Sequence, residues 1–236
     1  MDPMTKNGDT TVAVQLTNLV ARSPKIKDLE AVTELIVTCE INEHGTSDYT
    51  VDDLRSEWHR ASFNLETDAW VILTIKGQPV GYASVWHTEY EQIQMFTRVH
   101  PQYRRRGIGT LLVRLAEQRA RLQIQQARPG TRVTLSSTVS SLNGVARQLL
   151  EREGYTPVRQ FWRIVIEMDE LTSQSYQRRK LKVDLDLDSH RLRGTSGTYE
   201  PEGLYVVRPY QTYEKELRPG EQLSGNEAWD ELPVVV

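Results

Sequence analysis

The sequence predicts an α/β fold on a mixed central sheet with flanking helices, and three features carry that expectation. Strand-like and helix-like apolar runs follow one another through residues 11–168 in the order β-α-α-β-β-β-α-β-α-β. Two of the strand runs meet at the tight loop Lys76-Gly77-Gln78, which predicts an antiparallel hairpin. Further on, a strand, a glycine-bearing turn, a helix and another strand form a crossover that requires parallel pairing.

Each element has its own signal. "TVAVQLTNLVARS", from Thr11, alternates apolar positions as a first strand. Ser23-Pro24 offers an N-cap and an N1 proline for a helix with Ile26, Leu29, Val32, Leu35, Ile36 and Cys39 at helical spacing. After the polar break "NEHGTSD", Thr50 caps a short second helix, with Asp53 in its first turn and Leu54 and Trp58 one turn apart. "AWVILTI" and "PVGYASVW" form the hairpin, and "EYEQIQMFTRV" is the strand that enters "HPQYRRRGIG". The long helix from Ile108 to about Leu122 stops at "ARPG". "TRVTLSSTV" is the next strand, Asn143 to Arg152 a helix closed by Gly154, and "YTPVRQFWRIVIEM" a long final strand.

Composition narrows the function. The net charge is −3, which disfavours a dedicated nucleic-acid binder. Yet Arg98 to Arg128 holds eight arginines against one acid, Glu117, a local excess suited to a small polyanion. Cys39 is the single cysteine, so no internal disulfide or thiolate zinc cluster forms. The five histidines (His44, His59, His87, His100 and His190) show no metal-ligand spacing, and no metal is expected. The start of the chain lacks an apolar signal core and no run of about 18 apolar residues occurs, so the expectation is a cytoplasmic protein, monomer or homodimer, with no membrane partner.

Arg104-Arg105-Arg106 reads in three ways: a nucleic-acid anchor, a solvated basic turn, or a wall of a phosphate loop. Its place at a strand-to-helix junction supports the third. A helix that starts directly after a strand presents unpaired N–H groups and the positive end of its dipole. Gly107 and Gly109 let that backbone approach a phosphate, and the arginines add donors suited to a pyrophosphate.

"VHPQYRRRGIGTLLVRLAE" resembles motif A of the GNAT superfamily of N-acetyltransferases, [QR]-x-x-G-x-[GA] after the fourth strand, and "NGVARQLLEREGY" resembles the family's N-x-x-A-x-x-L-Y-E-K-x-G-F segment. The resemblance implies a sheet whose fourth and fifth strands splay around acetyl-CoA, with acetyl transfer to an amine of a small molecule or protein. It implies that Phe96, Thr97 and Val99 offer strand backbone to the acetyl and pantetheine groups. Arg104, Arg105, Arg106, Gly107, Ile108, Gly109 and Thr110 would hold the pyrophosphate, and Asn143 would reach the pantetheine arm. Arg147, one turn on, is a further cofactor contact or else an exposed helix arginine.

The chemistry asks for a base and an acid. Leu150 stands where the family places its acidic tyrosine, which leaves Tyr155 as a substitute or as the family's packed aromatic. Glu89 and Glu91, at the start of the fourth strand, are the candidate bases, and exposed strand-end carboxylates the alternative. A GNAT-fold acyl-CoA-binding or sensing protein with weak or no catalysis is the second functional reading.

Beyond Met168 the sequence echoes itself. "EGYTPVRQFWRIVIEM" and "EGLYVVRPYQTYEKEL" align without a gap, matching Gly154 with Gly203 and Phe161 with Tyr210. The expected organisation is a flexible start (1–10), an acetyltransferase domain (11–168), a linker (169–181), a truncated and degenerate second copy (182–218) resembling tandem proteins of the mycothiol-synthase type, and a tail (219–236). The strand at 203–217 is expected to pair beside the strand at 155–168 and finish the sheet.

Overall fold

The computed structural model describes residues 18–172, 175–186 and 205–222. The expected flexible start at 1–10, most of the first strand, residues 187–204 of the expected second copy and the end of the tail lie outside these residues.

Strand β1 (Leu19–Arg22) leads through a 3-10 turn into α1 (Leu29–His44), followed by α2 (Val51–Trp58). The entry to α1 differs from the expected Ser23 cap. Ser23 Oγ instead donates to Glu66 O at 2.6 Å, and the turn is closed by Asp28, which accepts from the Lys25 N–H at 2.7 Å and from the Arg22 guanidinium at 2.7 and 2.9 Å. The cap of α2 is as the sequence predicts. Thr50 Oγ1 accepts from Asp53 N at 3.2 Å, and the Asp53 carboxylate accepts from Thr50 N at 2.7 Å.

Next come β2 (Ala69–Thr74), β3 (Pro79–Glu89) and β4 (Gln92–Val99), which form an antiparallel meander with β1 at its outer edge. The crossover runs through α3 (Ile108–Gln123) to β5 (Val133–Ser140), which lies parallel to β4. Helix α4 (Gly144–Arg152) and β6 (Thr156–Thr172), β7 (Ser175–Asp186) and β8 (Tyr205–Arg218) complete the chain described. The sheet is mixed, with order β1-β2-β3-β4-β5-β8-β6-β7, and β4·β5 is its parallel pair.

The two sheet faces bury different helices because strand side chains alternate. On one face Val71, Leu73 and Tyr82 pack against Val32, Leu35, Ile36 and Leu54, and Trp58 Nε1 donates to Tyr82 OH at 2.8 Å. On the other, Val85, Ile93, Met95 and Leu135 meet Val113 and Ala116 of α3 and Leu150 of α4.

The C-terminal strands join the sheet formed by the preceding elements. Within residues 169–181, the described residues belong to β6 and β7, which pair antiparallel as far as Thr172↔Ser175. Of residues 182–218, the described parts are the end of β7 and strand β8. Strand β8 enters the same sheet, antiparallel to β5 on one side and to β6 on the other. It pairs with β6 as anticipated, yet in the interior, and the charged β7 forms the edge. The likeness between the two segments falls on neighbouring strands, where Phe161 lies opposite Tyr210 and their rings stack at 5.7 Å. The described start of the tail is also held, since Glu221 O accepts from Arg132 N at 2.9 Å.

Because β8 is interior, a chain ending at residue 202 leaves facing edges of β5 and β6 unpaired and removes the fully buried Tyr213. The expected outcome is loss of a cooperative thermal transition by circular dichroism. A truncated protein that melts at the full-length temperature would refute the interior placement.

Candidate functional site

The site originates in a parting of two strands. Strands β4 and β5 pair from Gln92↔Thr134 to Met95↔Ser137 and no further, while β3 stays paired with β4 as far as Val99 and β8 stays paired with β5 as far as Ser140. The outer edges are held and the inner edges diverge. A cleft of about 450 Å³ fills the gap, walled by Thr97 and Val99 of β4, Ser137 and Val139 of β5, and Asn143 and Leu150 of the α4 segment.

Backbone parity decides what β4 offers to this gap. His100 N donates to Val80 O at 2.9 Å, so the even-numbered residues of this stretch turn their backbone groups to β3 and Thr97 and Val99 turn theirs to the gap. The carbonyls agree. Thr97 O accepts from Arg98 Nη1 at 3.0 Å, and Val99 O accepts from Cys39 Sγ at 3.4 Å. Phe96, expected to offer backbone, does not. Its backbone faces β3, and its ring lies on the α1–α2 face, stacked with Tyr49 at 6.5 Å.

The arginine–glycine turn closes one end of the cleft. Arg105 and Gly107 both adopt left-handed backbone, with φ of 63° and 82°, so the chain curls before α3 begins. At the start of α3 the N–H groups of Ile108, Gly109 and Thr110 have no intrahelical partner. Gly107 is required by its φ. Gly109 has another reason: a Cβ there would come within 2.8 Å of Leu149 Cδ2, at the cleft wall. Ile108 is buried against Val80, Ala83 and Leu112 and anchors the turn.

The three arginines separate. Arg104 and Arg105 line the cleft, whereas Arg106 turns away over the Tyr103 ring, 4.8 Å from its centroid. Arg104 donates to Glu43 Oε1 at 2.8 Å and to Asn42 Oδ1 at 3.2 Å. Asn143 Nδ2 donates to the same Glu43 oxygen at 2.6 Å, while Asn143 Oδ1 caps α4 by accepting from Ala146 N at 3.0 Å. Glu43 thus joins the turn to the start of α4. The sequence reading missed it, because the pairing partners lie 61 and 100 residues away.

Four other candidates fall outside the cleft lining. Glu91 is buried at the closed end of the β4–β5 pair, where its side chain accepts from Arg128 N at 3.1 Å, and Glu89 lies beside it at the end of β3. Both stand at the opposite end of β4 from Thr97–Val99. Tyr155 is buried in the core, with its hydroxyl lacking a partner among the described residues and its pKa pushed up by burial. Arg147 turns from the cleft to Tyr213 OH at 3.3 Å and Ser141 O at 3.3 Å. Tyr213 gives no substitute acid, since its hydroxyl donates to Glu151 Oε1 at 2.9 Å, a residue that does not line the cleft. Cys39 is no nucleophile: it is fully buried, and desolvation pushes its thiol up to about 11. Among the described residues no group of three or more His, Cys, Asp or Glu could hold a metal, and no helix is long and apolar enough to cross a membrane.

Over the α1 side, buried Arg208 of β8 pairs with Asp48, lies 3.8 Å from Glu40 and donates to Thr46 Oγ1 at 3.3 Å, fastening the α1–α2 loop to the sheet. His44 stands between, 5.5 Å from the Tyr210 ring. Burial first, and the Arg208 charge second, hold its pKa below the ordinary value. A lowered pKa means that the unfolded chain takes up this proton before the folded one does. The contribution is therefore complete above about pH 6.5 and is lost as pH falls through the folded value. His44→Gln should melt with a shallower pH dependence than wild type between about pH 7.5 and 5. Identical slopes in a thermal-shift titration would remove His44 from the account.

Residues 66–157 match the family model for an acetyltransferase (GNAT) domain, a span that takes in the arginine–glycine turn, α3, all of α4 and the cleft lining apart from Glu43. Among solved structures, a GCN5-related N-acetyltransferase from Sphaerobacter thermophilus is 19% identical and superposes with a TM-score of 0.71, covering 88% of this chain and 98% of that one. An N-acetyltransferase from Staphylococcus aureus Mu50 is 16% identical, with a TM-score of 0.53 over 86% and 100% of the two chains. A phosphinothricin acetyltransferase from Sinorhizobium meliloti, solved in complex with AcCoA, is 13% identical, with a TM-score of 0.50 over 86% and 91%. No curated protein matches the sequence. At these identities the likeness shows the fold alone, a mixed sheet with flanking helices.

Proposed function

We propose that this protein is an acetyl-CoA-dependent N-acetyltransferase that transfers the acetyl group directly to a primary amine. One observation carries the reading: the β4–β5 gap opens onto a left-handed turn and a helix start whose N–H groups have no intrahelical partner. A long cofactor with an acyl end and a pyrophosphate fits that sequence of surfaces. The amides of Ile108, Gly109 and Thr110 and the guanidiniums of Arg104 and Arg105 would hold the pyrophosphate. Thr97 and Val99 would pair the pantetheine arm as a missing strand would, and Asn143 would face it from the other wall. Thr97 Oγ1, buried and without a partner among the described residues, fits a polar occupant. The S. meliloti structure, which holds AcCoA on a similar fold, supports the same assignment.

Acetyl-CoA supplies an activated acyl group as a thioester. The amine nitrogen forms a bond to the carbonyl carbon, the carbon–sulfur bond breaks, and the proton lost by the amine leaves a free thiol. The chain's part is to align the two reactants and to polarise the carbonyl through the N–H groups that β4 turns to the gap. A second reading, a coenzyme-binding protein with little turnover, draws on Leu150 in the cleft wall and on the displacement of Glu89, Glu91, Tyr155 and Tyr213 from the cleft lining.

Thiol release with an amine panel separates the two, since binding by calorimetry without thiol release favours the second. For the loop, Gly109→Leu fills the cleft wall at Leu149. It should weaken acetyl-CoA binding roughly tenfold, about 1.4 kcal/mol. Unaltered affinity in a folded variant would overturn the loop assignment.

A further inference from the structure

The acetyl-transfer reading leaves the acceptor open, and the charge balance around the gap narrows it. Arg98 lies on the β4 face opposite Thr97 and Val99, beneath α1 and α2, and it also lines the cleft. Its guanidinium rests on the Phe96 ring, 4.1 Å from the centroid, and Nη1 donates to Thr97 O at 3.0 Å. Ring and carbonyl together fix the plane of the fork at the mouth of the gap. The rest of the fork is unused: Nε is buried without a partner, and no carboxylate lies within ion-pair distance among the described residues.

The neighbouring acids are engaged elsewhere. Glu43 holds Arg104 and Asn143, and Glu40 accepts from Ser47 Oγ at 2.7 Å and faces Arg208. Asp48 is paired with Arg208, and Glu57 accepts from Tyr49 OH at 3.0 Å. Of the neighbouring cations, Arg208 is neutralised in this network, His44 is held toward its uncharged form, Arg104 is paired with Glu43, and Arg105 lies at the turn assigned to the pyrophosphate. A half-buried guanidinium, oriented and lacking an anion, is a costly arrangement unless a ligand completes it.

We infer that Arg98 binds a carboxylate of the acceptor, so that the amine acetylated belongs to a small amino-acid-type substrate with its carboxylate a few bonds from the nitrogen. A planar fork matches a carboxylate, and the cleft volume already shared with the coenzyme arm admits only a small molecule beside it. The short reach follows from the tie between Arg98 Nη1 and the carbonyl of Thr97, the residue whose backbone faces the gap. This assignment rests on the acetyltransferase reading.

The test pairs acids with their amides. A set of α-, β- and γ-amino acids and the primary amide of each is assayed with acetyl-CoA by thiol release. The expected result is that at least one acid exceeds its amide in kcat/KM by roughly ten- to a hundredfold. In Arg98→Gln that ratio should fall toward one, and in Arg98→Lys, which keeps the charge and loses the fork, it should fall part of the way. Amides used as well as acids, a ratio that survives Arg98→Gln in a protein with normal melting, or acetyl-CoA binding with no amino acid turned over would each overturn the inference. If Arg98→Gln fails to fold, the wild-type comparison and Arg98→Lys decide the matter. Absence of acetyl-CoA binding in the wild-type protein would instead bring down the acetyltransferase reading itself.

Discussion

The functional architecture depends on one constraint: β4 and β5 must part after Met95↔Ser137 while neither strand comes loose. Parallel strands that lose their mutual hydrogen bonds ordinarily leave two rows of unsatisfied backbone groups. Here each strand keeps a partner on its outer side. Strand β3 accompanies β4 to Val99, and β8 accompanies β5 to Ser140. The inner rows face an open cleft with room for a ligand. Without β8, β5 would have lost one neighbour and kept half of another. The strand that arrives last in the chain is what lets the gap stay open.

The same strand ties the opposite wall. Arg208 of β8 and Glu40 and Asp48 of the α1–α2 region form a buried charge cluster that costs desolvation and returns it only through close pairing. Its value is positional. Glu43, one turn beyond Glu40 on α1, then lies where it can bridge Arg104 and Asn143, with its side chain 7% exposed. A helix end, a phosphate-type turn and an α4 cap are thereby brought to one carboxylate oxygen.

Local chemistry made the central elements legible. The hairpin at Gly77, the Thr50 capping box, the crossover through α3 and the close of α4 at Gly154 each depend on residues within a few positions of one another, and each has its expected place. The cleft's β4 face and its helix start were legible for the same reason, apart from Phe96, whose strand parity needs the β3 register. Long-range matters were not. Glu43 meets Asn143 across 100 residues, and Arg208 meets Asp48 across 160. The resemblance between the 153–168 and 202–217 segments placed the two strands side by side, and the pairing bears out that adjacency, with Phe161 opposite Tyr210.

The lack of an acid in the cleft is less damaging to acyl transfer than it first looks. A thiol has a pKa near 8.5, so the departing sulfur is stable as a thiolate close to neutral pH and needs no strong proton donor. The greater demand lies with the acceptor, whose nitrogen must shed a proton before or during attack. Glu89 and Glu91 are remote from the gap, and Glu43 spends its bridging oxygen on Arg104 and Asn143. In the proposed transfer, proton removal would fall to solvent reaching the open side of the cleft, and the chain would contribute alignment. An oriented guanidinium beside the gap suits that division of labour, because an acceptor carboxylate fixed at Arg98 would bring its own amine to the thioester.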